Sequence, residues 1–298
     1  MIGQMLNRFP GIGCACMDGA GKVNTEYHGV DENTVFPAAS MSKFVTALCL
    51  MKLHEDRVID IDAPVNAWLK QWKLRTPDGQ ESDATIRSVM SHTAGIVDGE
   101  DGFYGSHRVT GKVSLMDILE GRTAYNNRPV RGEKPQGTTF EYSDAGYCVL
   151  QLLVEELTGQ SFRKALQEIV FDRLSLKSAC FAGCPDLAGA GLWITPREML
   201  TLGKAFVDAL NGRSGFLRAE TAREMGSPAA HFPWTGLGVF ISGDDTLMTQ
   251  GWSENGQCMM KMNCRTGAVS VVMTNRNPEM DQSESGVEWL CDKNLRSC

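Results

Sequence analysis

A serine and a lysine stand three residues apart in the stretch 40–43, Ser-Met-Ser-Lys. Residues three apart on a helix share one face, so the Lys43 amine can reach the Ser40 hydroxyl. The run 44–53 is apolar almost all round, which is typical of a buried helix. The preceding Pro-Ala-Ala leaves Ser40 near the helix start, where free backbone N–H groups favour developing negative charge. A serine nucleophile, a neighbouring amine and an anion-stabilising helix end indicate an acyl-transfer site.

The S-x-x-K pattern occurs a second time, from Ser161 to Lys164. Roughly one match is expected by chance in a chain of this composition, so the pattern alone does not identify a nucleophile. The second copy follows Gly159, a typical helix C-cap, and Ser161 then fits the N-cap of the next helix. We therefore interpret Ser161 as a capping residue and keep Ser40 as the candidate nucleophile.

The composition limits the class of protein. With 298 residues and 42% hydrophobic content, the chain can bury a large core in one large domain or two interleaved ones. A net charge of −7 argues against nucleic acid as the main partner. No run approaches the roughly 18 apolar residues of a membrane span, and residues 1–10 lack a signal-peptide core. We expect no membrane span and a cytoplasmic location, with a trimmed leader as the alternative.

The cysteines point to a reduced, metal-free protein. Ten are scattered along the chain without a C-x-x-C pair, and Cys49 and Cys148 lie in apolar helical runs where they act as small hydrophobes. We expect reduced thiols, as is usual in the cytoplasm. Neither H-E-x-x-H nor paired C-x-x-C occurs, so no zinc site is expected. The serine-esterase signature G-x-S-x-G is also absent, which excludes the most familiar hydrolase fold.

Strand patterns occur at both ends of the chain, with helices between them. The predicted strands are 11–17 and 23–30, which flank an Asp-Gly-Ala-Gly turn, and then 236–242, 257–263 and 268–274. The predicted helices include 147–157, 196–211 and 287–295. This order predicts one sheet built from both termini and a helical insertion.

Three further segments bear on Ser40. Tyr142 and Asp144 lie two apart in a loop entering a helix, so both side chains could point into one cavity; a packed tyrosine with Asp144 as the N-cap is the alternative. His92 lies in the turn Ser-His-Thr-Ala-Gly and is more often structural than catalytic in such a setting. Gly251, in Thr-Gln-Gly-Trp at 249–252, allows a backbone to approach a ligand closely.

In this order the segments resemble the penicillin-recognising serine hydrolases, specifically the branch of class C β-lactamases, D,D-peptidases, D-aminopeptidases and family VIII esterases. The resemblance covers nearly the whole chain. The motifs are S-x-x-K at 40–43, S-H-T-(A/S)-G at 91–95, P-G-x-x-F-x-Y-S-N at 136–144 with Gln136 first, E-x-x-T-G-x-x-F at 155–162, A-G-L-x-x-T at 190–195, which is one glycine shorter than the A-G-G-L-x-x-T of the family, and K-T-G or H-x-G at 249–251. Each match is weak alone, but the ordered set is specific.

The resemblance implies an α+β fold of the β-lactamase/transpeptidase type. It consists of an antiparallel β-sheet built from both termini and flanked by helices, with a mostly helical inserted domain. We expect residues 1–60 and 180–298 to form the discontinuous sheet domain and residues 61–179 the helical insertion. The active site would then lie between them.

The resemblance also implies roles for individual residues. Ser40 would attack the substrate carbonyl and form an acyl-enzyme, and Lys43 would take its proton. Tyr142 would relay that proton to the leaving group. The backbone N–H groups of Ser40 and Trp252 would hold the oxyanion, and Asp144, Thr249, Gln250 and Gly251 would belong to the substrate-binding motifs. Water would release the acyl group, and no metal or organic cofactor is required.

Two departures from the family pattern affect this interpretation. Asp144 stands where asparagine is usual, and a carboxylate near Lys43 would raise the pKa of the amine and oppose its use as a base. Thr249 stands where lysine or histidine is usual, which removes the cation that meets a substrate carboxylate. If the motif is aligned one residue later, Gln250 takes this position, and a glutamine side chain carries no positive charge either. An uncharged ester or amide therefore fits better than a β-lactam or a D-alanyl terminus.

The leading hypothesis is a serine hydrolase that acts through an acyl-enzyme on a small ester, amide or peptide-like substrate. One alternative is a catalytically weakened member that serves as a binding or scaffold protein, and another is a true β-lactamase. The loops 97–135 and 213–235 are expected to form the pocket walls. Four aromatic residues there either line the site or pack against the core: Phe103, Tyr104, Phe232 and Trp234.

Overall fold

The structure is a computed structural model that describes residues 5, 7–99, 102–103, 113–183, 185–213, 215–243 and 245–298. Its strands are β1 (Ile12–Met17), β2 (Val23–His28), β3 (Phe36–Pro37), β4 (Cys180–Phe181), β5 (Leu192–Ile194), β6 (Phe240–Ile241), β7 (Thr246–Ser253), β8 (Gly256–Asn263) and β9 (Val269–Thr274). The larger sheet has the order β2-β1-β9-β8-β7-β6 and the smaller one β3-β5-β4. All neighbouring strands are antiparallel.

The helices are α1 (Ser42–Glu55), α2 (Ile86–Met90), α3 (Leu115–Leu119), α4 (Asp144–Thr158), α5 (Phe162–Leu166), α6 (Pro196–Leu210), α7 (Ala219–Met225), α8 (Gln282–Ser285) and α9 (Val287–Ser297). Single turns of 3-10 helix lie at Ala39–Met41 and Val65–Ala67, and one turn of π-helix follows α5 at Gln167–Phe171. Within the described ranges, no helix is both long and apolar enough to cross a membrane.

The larger sheet is covered on both faces. Helix α9 packs on one face, where Leu290 and Cys291 join Ile12, Cys14 and Met259 in a buried cluster. Helix α6 packs on the other face, against β1, β8 and β9. Side chains alternate along a strand, so those at odd and even positions of β1 pack on opposite faces of the sheet. Because both faces are covered, this strand is buried almost throughout.

Helix α1 lies at the centre of the main core, as its apolar sequence predicts. Eleven of its residues are buried, and the Phe44 ring meets that of Phe206 edge-on with centroids 5.6 Å apart. A helix buried on all sides is held rigidly, because every face makes packing contacts. This rigidity fixes the residues at its N-terminal end.

The predicted fold class is confirmed, with two local corrections. The strand predicted at 236–242 shortens to Phe240–Ile241, because Gly238 adopts a positive φ of 69° and turns the chain. Strand β7, by contrast, covers Thr246–Ser253, a range that is not among the predicted strands. All strands that the structure describes lie within 1–60 and 180–298, but the division into two domains stays a prediction.

The expectation that every cysteine is a reduced thiol is wrong for one pair. Cys16 in β1 and Cys298 form a disulfide that closes a separation of 282 residues. Cys49 and Cys148 are buried free thiols, as predicted. The sequence gives no signal for the pairing, since the two cysteines are remote along the chain and belong to no spaced motif.

Candidate active site

Ser40 lies in the 3-10 turn that leads into α1. The residue before it, Ala39, has a φ of +45°, a conformation that non-glycine residues rarely adopt. Ser42 holds this turn in place, because its hydroxyl donates to Ala39 O at 2.6 Å and accepts from Leu192 N at 3.1 Å. The strained turn is thus tied to the smaller sheet, and it presents the Ser40 hydroxyl at the start of the buried helix.

Lys43 is 3% exposed, and its ammonium has three hydrogen-bond acceptors. It donates to Ser40 Oγ at 3.2 Å, to Asp144 Oδ1 at 2.5 Å and to Gly189 O at 3.0 Å. A lysine ammonium has three N–H donors and no acceptor, so these contacts use all of them. The predicted pairing of the Ser40 hydroxyl with the Lys43 amine is therefore present, with Lys43 as the donor.

The charge of Lys43 is set by Asp144. Burial alone would lower the pKa of the amine, but the Asp144 carboxylate, and to a smaller extent Tyr142, raise it above its ordinary value. Lys43 is consequently a full ammonium in the resting site. This agrees with the expectation that an aspartate at position 144 opposes direct use of the amine as a base.

Tyr142 lies beside both groups. Tyr142, Ser40 and Lys43 line one recess, and the Lys43 ammonium lies 4.6 Å from the centre of the Tyr142 ring. The side chain is 40% exposed, so its ring borders open space while its hydroxyl end faces the buried amine. The low polarity around the hydroxyl raises the pKa of Tyr142, and the nearby Lys43 charge offsets only part of this. The tyrosine is therefore a neutral phenol that can donate a proton.

His92 positions this tyrosine and takes no direct part in the Ser40 contacts. Its ring lies 4.4 Å from that of Tyr142, and its Nδ1 accepts from Ser143 N at 3.0 Å. Burial and the Lys43 charge hold the pKa of His92 well below its ordinary value, so the ring is neutral and Nε2 carries the proton. The interpretation of His92 as structural agrees with this geometry.

Asp98 is a site residue that sequence reasoning missed. Its carboxylate accepts from Ser143 Oγ at 2.7 Å, Asp144 N at 2.7 Å and Ala145 N at 3.2 Å. Ser143 is the N-cap of α4, since its hydroxyl accepts from Gly146 N. The alternative of Asp144 as the cap is therefore excluded, and Asp144 is left to face Lys43. Burial and the Asp144 charge raise the pKa of Asp98.

Strand β7 brings residues 249–251, the segment that matches the K-T-G or H-x-G motif, close to the nucleophile Ser40. At Gly251 a Cβ would lie 2.2 Å from Ala38 O and 3.0 Å from Ala39 Cβ, so only glycine permits this approach. The next residue, Trp252, is thereby carried alongside Ser40, and its side chain is 52% exposed. Both predicted oxyanion residues thus border the same region, since Ser40 and Trp252 line one cavity.

Ser40 also lies at the boundary between two cavities. A narrow recess of about 10 Å³ is lined by Lys43, Tyr142, Phe240, Thr249 and Gln250. A large cavity of about 890 Å³ extends on the other side and includes Asp144 and Trp252. The predicted site residues are therefore brought together. Lys43 is the single lysine or arginine among the residues described as lining the recess, so the structure provides no cation in place of the one that Thr249 replaces.

The four aromatic residues of the predicted pocket walls lie in different places. Phe103 lines the large cavity and packs edge-on against Tyr125 at 5.0 Å. Phe232 and Trp234 instead form a cluster with Phe140 and do not line the recess. Tyr104 lies outside the described residues. Ser161, the serine of the second S-x-x-K pattern, is exposed and takes the N-cap position of α5.

The sequence and the fold were compared with known proteins. Residues 1–289 match the family model described as Beta-lactamase. Esterase EstB of Burkholderia gladioli is 27% identical over 224 residues, which is 72% of this chain and 56% of that protein. Penicillin-binding protein 4* of Bacillus subtilis (strain 168) is 28% identical over 152 residues, which is 49% of this chain and 30% of that protein.

The matched segments thus span about half or less of these two curated relatives. Among solved structures, the D-amino acid amidase from Ochrobactrum anthropi SV3 has a TM-score of 0.79 at 18% identity and covers 99% of this chain and 98% of its own. The fold is therefore shared along the full length of that protein. Together with the family match across residues 1–289, this means that the chain belongs to the beta-lactamase family.

Proposed function

We propose that the chain is a serine hydrolase that acts through an acyl-enzyme on small ester, amide or peptide-like substrates. The observation that carries the proposal is the line of contacts from Ser40 Oγ to Lys43 Nζ, 3.2 Å, and on to Asp144 Oδ1, 2.5 Å. Two similar proteins, an esterase and a D-amino acid amidase, support ester and amide substrates.

The proton of Ser40 leaves along this line. Lys43 is a full ammonium, so it must lose a proton before it can accept one. The N–H that points at Asp144 passes its proton to the carboxylate, which becomes a neutral acid. Lys43 then takes the Ser40 proton and regains its charge as the Ser40 oxygen bonds to the substrate carbonyl carbon. The negative charge of the pair moves in this way to the carbonyl oxygen.

The remaining steps use Tyr142 and two backbone groups. The N–H groups of Ser40 and Trp252 stabilise the oxyanion, a contribution worth about 100-fold or more in rate per donor. Tyr142, a neutral phenol, gives its proton to the leaving group and recovers one from the Lys43 ammonium beside it. Water then attacks the acyl-enzyme by the same route in reverse. The mechanism calls for no cofactor.

A fluorophosphonate probe tests the proposal, because it labels a serine only when the hydroxyl is activated. We expect the native chain to be labelled and Ser40→Ala to remain unlabelled. Ser161→Ala is a matched control, since Ser161 begins the second S-x-x-K pattern but lies exposed at a helix start. Labelling that survives Ser40→Ala, or its absence from a folded native chain, would refute the proposal.

The Lys43–Asp144 ion pair favours one alternative, a weakened member that binds ligands without turnover. In that case a small ester would bind without the release of alcohol, and Ser40 would stay unlabelled. True β-lactamase activity is the less favoured alternative, because a β-lactam carboxylate finds no free cation among the described residues of the recess. Turnover of a chromogenic cephalosporin that is lost in Lys43→Ala would establish it.

We further propose the cytoplasmic location that the sequence predicts. The Cys16–Cys298 disulfide argues in the opposite direction, since such bonds are rare in that compartment. Fractionation of cells that express the full gene would decide the matter, and recovery outside the cytoplasm would overturn this proposal. The proposed reaction at Ser40 does not depend on the cellular location.

A further inference from the structure

The two cavities beside Ser40 differ in size by a wide margin. The recess on the Tyr142 side measures about 10 Å³, whereas the cavity on the Trp252 side measures about 890 Å³. A volume near 10 Å³ holds about one water-sized group. Cavities of roughly 300–1,000 Å³ hold ligands the size of a drug molecule. A substrate bound to Ser40 must therefore be strongly asymmetric.

Aromatic rings close the recess. Phe240 stacks on Tyr142 with ring centroids 6.4 Å apart and 24° between the ring planes. Phe140 supports this pair from behind, 6.4 Å from Phe240 and 5.8 Å from His92. Thr235 and Thr249, both buried, also line the recess, together with Gly238, Val239 and Gln250. Large rings thus narrow the recess. Lys43, the one lysine or arginine among its described lining residues, already donates to Asp144.

The large cavity has an apolar wall and an acidic rim. Tyr125 and Phe103 pack edge-on, and Ile118 and Leu187 continue the apolar surface. Glu279 lies at the rim, and the described lining includes no lysine or arginine. An apolar or aromatic group gains from burial here, while an anionic group meets no lysine or arginine among the described lining residues.

The position of Tyr142 decides which part of a substrate enters which cavity. The residue that protonates the leaving group must lie on the leaving-group side of the carbonyl carbon. Tyr142 lines the recess, and Trp252, whose N–H we assign to the oxyanion, lines the large cavity. The leaving group therefore enters the recess and the acyl group occupies the large cavity.

We propose that the substrates are esters or primary amides with a bulky, partly aromatic acyl group and a small uncharged leaving group such as methanol or ammonia. The proposal rests on the proposed function, because it assigns the two sides of the same Ser40 reaction. It excludes esters of bulky or anionic alcohols as good substrates. In the reaction, the bond from the carbonyl carbon to the small group breaks, and that group leaves with the proton from Tyr142.

Three esters of N-acylglycines, which share the same type of ester bond, test the proposal. They are the methyl ester of N-benzoylglycine, its benzyl ester and the methyl ester of N-acetylglycine. We expect kcat/KM for N-benzoylglycine methyl ester to exceed that of each of the others by about tenfold or more, as expected when one group fits a pocket and another does not. Phe240→Ala enlarges the recess, and we expect it to raise the benzyl-to-methyl ratio by about tenfold.

Two controls keep the test interpretable. Phe232→Ala removes a ring of the same aromatic cluster that does not line the recess, and it should leave the benzyl-to-methyl ratio unchanged. Phe240→Leu opens the recess less and guards against poor folding of the alanine variant. It should raise the ratio by a smaller factor.

The outcomes separate this inference from the proposed function. If the fluorophosphonate labels Ser40 but the benzyl and methyl esters turn over equally, the assignment of the recess is wrong while the hydrolase stands. Equal rates for the N-benzoyl and N-acetyl esters would overturn the assignment of the large cavity in the same way. A chain that neither labels nor hydrolyses any of the three esters would overturn both.

Discussion

Lys43 Nζ lies 2.5 Å from Asp144 Oδ1, closer than its 3.2 Å to the Ser40 hydroxyl. Gly189 seals this contact, because a Cβ there would lie 2.8 Å from Asp144 Oδ1 and 3.3 Å from Lys43 Nζ. Water is thus kept from one side of the ion pair, and the attraction between the two charges is strong in such surroundings. In the mechanism proposed above, the Lys43 amine relays a proton to this carboxylate. An asparagine at position 144 would instead leave the amine as a candidate for a direct base.

Asp144→Asn separates the two roles of this carboxylate. The relay loses its final acceptor, so we expect kcat/KM at pH 7 to fall by about 100-fold, the usual scale for a lost general base. The pKa of Lys43 should fall at the same time, because the charge that raises it is gone while burial remains. Activity of the variant should consequently recover as the pH rises through that lowered pKa. The pH dependence of kcat/KM measures both effects.

Glu141→Gln is the matched control, since it removes a carboxylate from the same loop that pairs with Lys134 instead. Its pH profile should coincide with that of the native chain. If Asp144→Asn is as fast as the native chain at pH 7, or faster, then Asp144 restrains the amine and is not the proton acceptor.

Tyr142→Phe removes the hydroxyl from the recess that Tyr142 lines together with Ser40 and Lys43. We expect kcat to fall by about 100-fold because proton delivery to the leaving group is lost. The half-exposed ring stays in place, so the midpoint of thermal unfolding should change little. Tyr147→Phe is the complementary control, because it should lower stability and leave kcat unchanged. It loses a buried hydrogen bond to Met90 O at 2.9 Å, and we expect it to cost about 1 kcal/mol of stability with kcat retained.

Part of this site follows from local sequence alone. The contact between Ser40 and Lys43 is a consequence of helix geometry, which places residues three apart on one face. The N-cap of α6 is equally local, since the Thr195 hydroxyl accepts from Glu198 N three residues later. Predictions of this kind succeed because the interacting atoms are fixed by a few neighbouring backbone angles.

Other parts depend on contacts that no spacing encodes. The approach of Tyr142 and Asp144 to Lys43 crosses about 100 residues of chain, and only the resemblance to a family indicated it. Asp98 belongs to no motif, yet it holds the start of α4 in place. The sizes of the two cavities arise from rings such as Phe240 and Tyr125 that are remote in sequence. Tertiary packing determines all of these features.

His92 should make the stability of the chain depend on pH. The pKa of His92 in the folded state lies well below its ordinary value of 6.5, so the unfolded chain binds more protons in that range. The free energy of unfolding should therefore decline as the pH falls below about 6.5, by roughly 1.4 kcal/mol per pH unit from this residue.

His92→Asn offers an amide oxygen to Ser143 N in place of Nδ1 and cannot gain this proton. Its free energy of unfolding, measured by chemical denaturation between pH 4.5 and 7, should change less steeply with pH than that of the native chain. Other titrating groups, Asp98 among them, are common to both proteins and cancel in the difference. Parallel curves would show that His92 is not the buried neutral base described here.

Gly251→Ala tests whether β7 must touch the turn before the nucleophile. The new Cβ would lie 2.2 Å from Ala38 O and 2.6 Å from Cys258 Sγ, so β7 has to move away from Ser40. We expect the overpacking to cost about 1–3 kcal/mol of stability. The displaced Trp252 N–H should no longer reach the oxyanion, and kcat should drop by about 100-fold.

Gly256→Ala separates the two effects. Its Cβ would meet Thr274 O at 2.2 Å, a clash of the same severity that lies at the turn of the β7–β8 hairpin and faces β9 and Pro37 instead of Ala38. We expect a similar loss of stability with most of kcat retained in the folded fraction, since the contact of Gly251 with Ala38 is preserved. Turnover should therefore be normalised to the folded fraction in both variants. If Gly251→Ala then retains kcat as Gly256→Ala does, the approach of β7 to Ala38 matters only for stability, and Trp252 is not the second oxyanion donor.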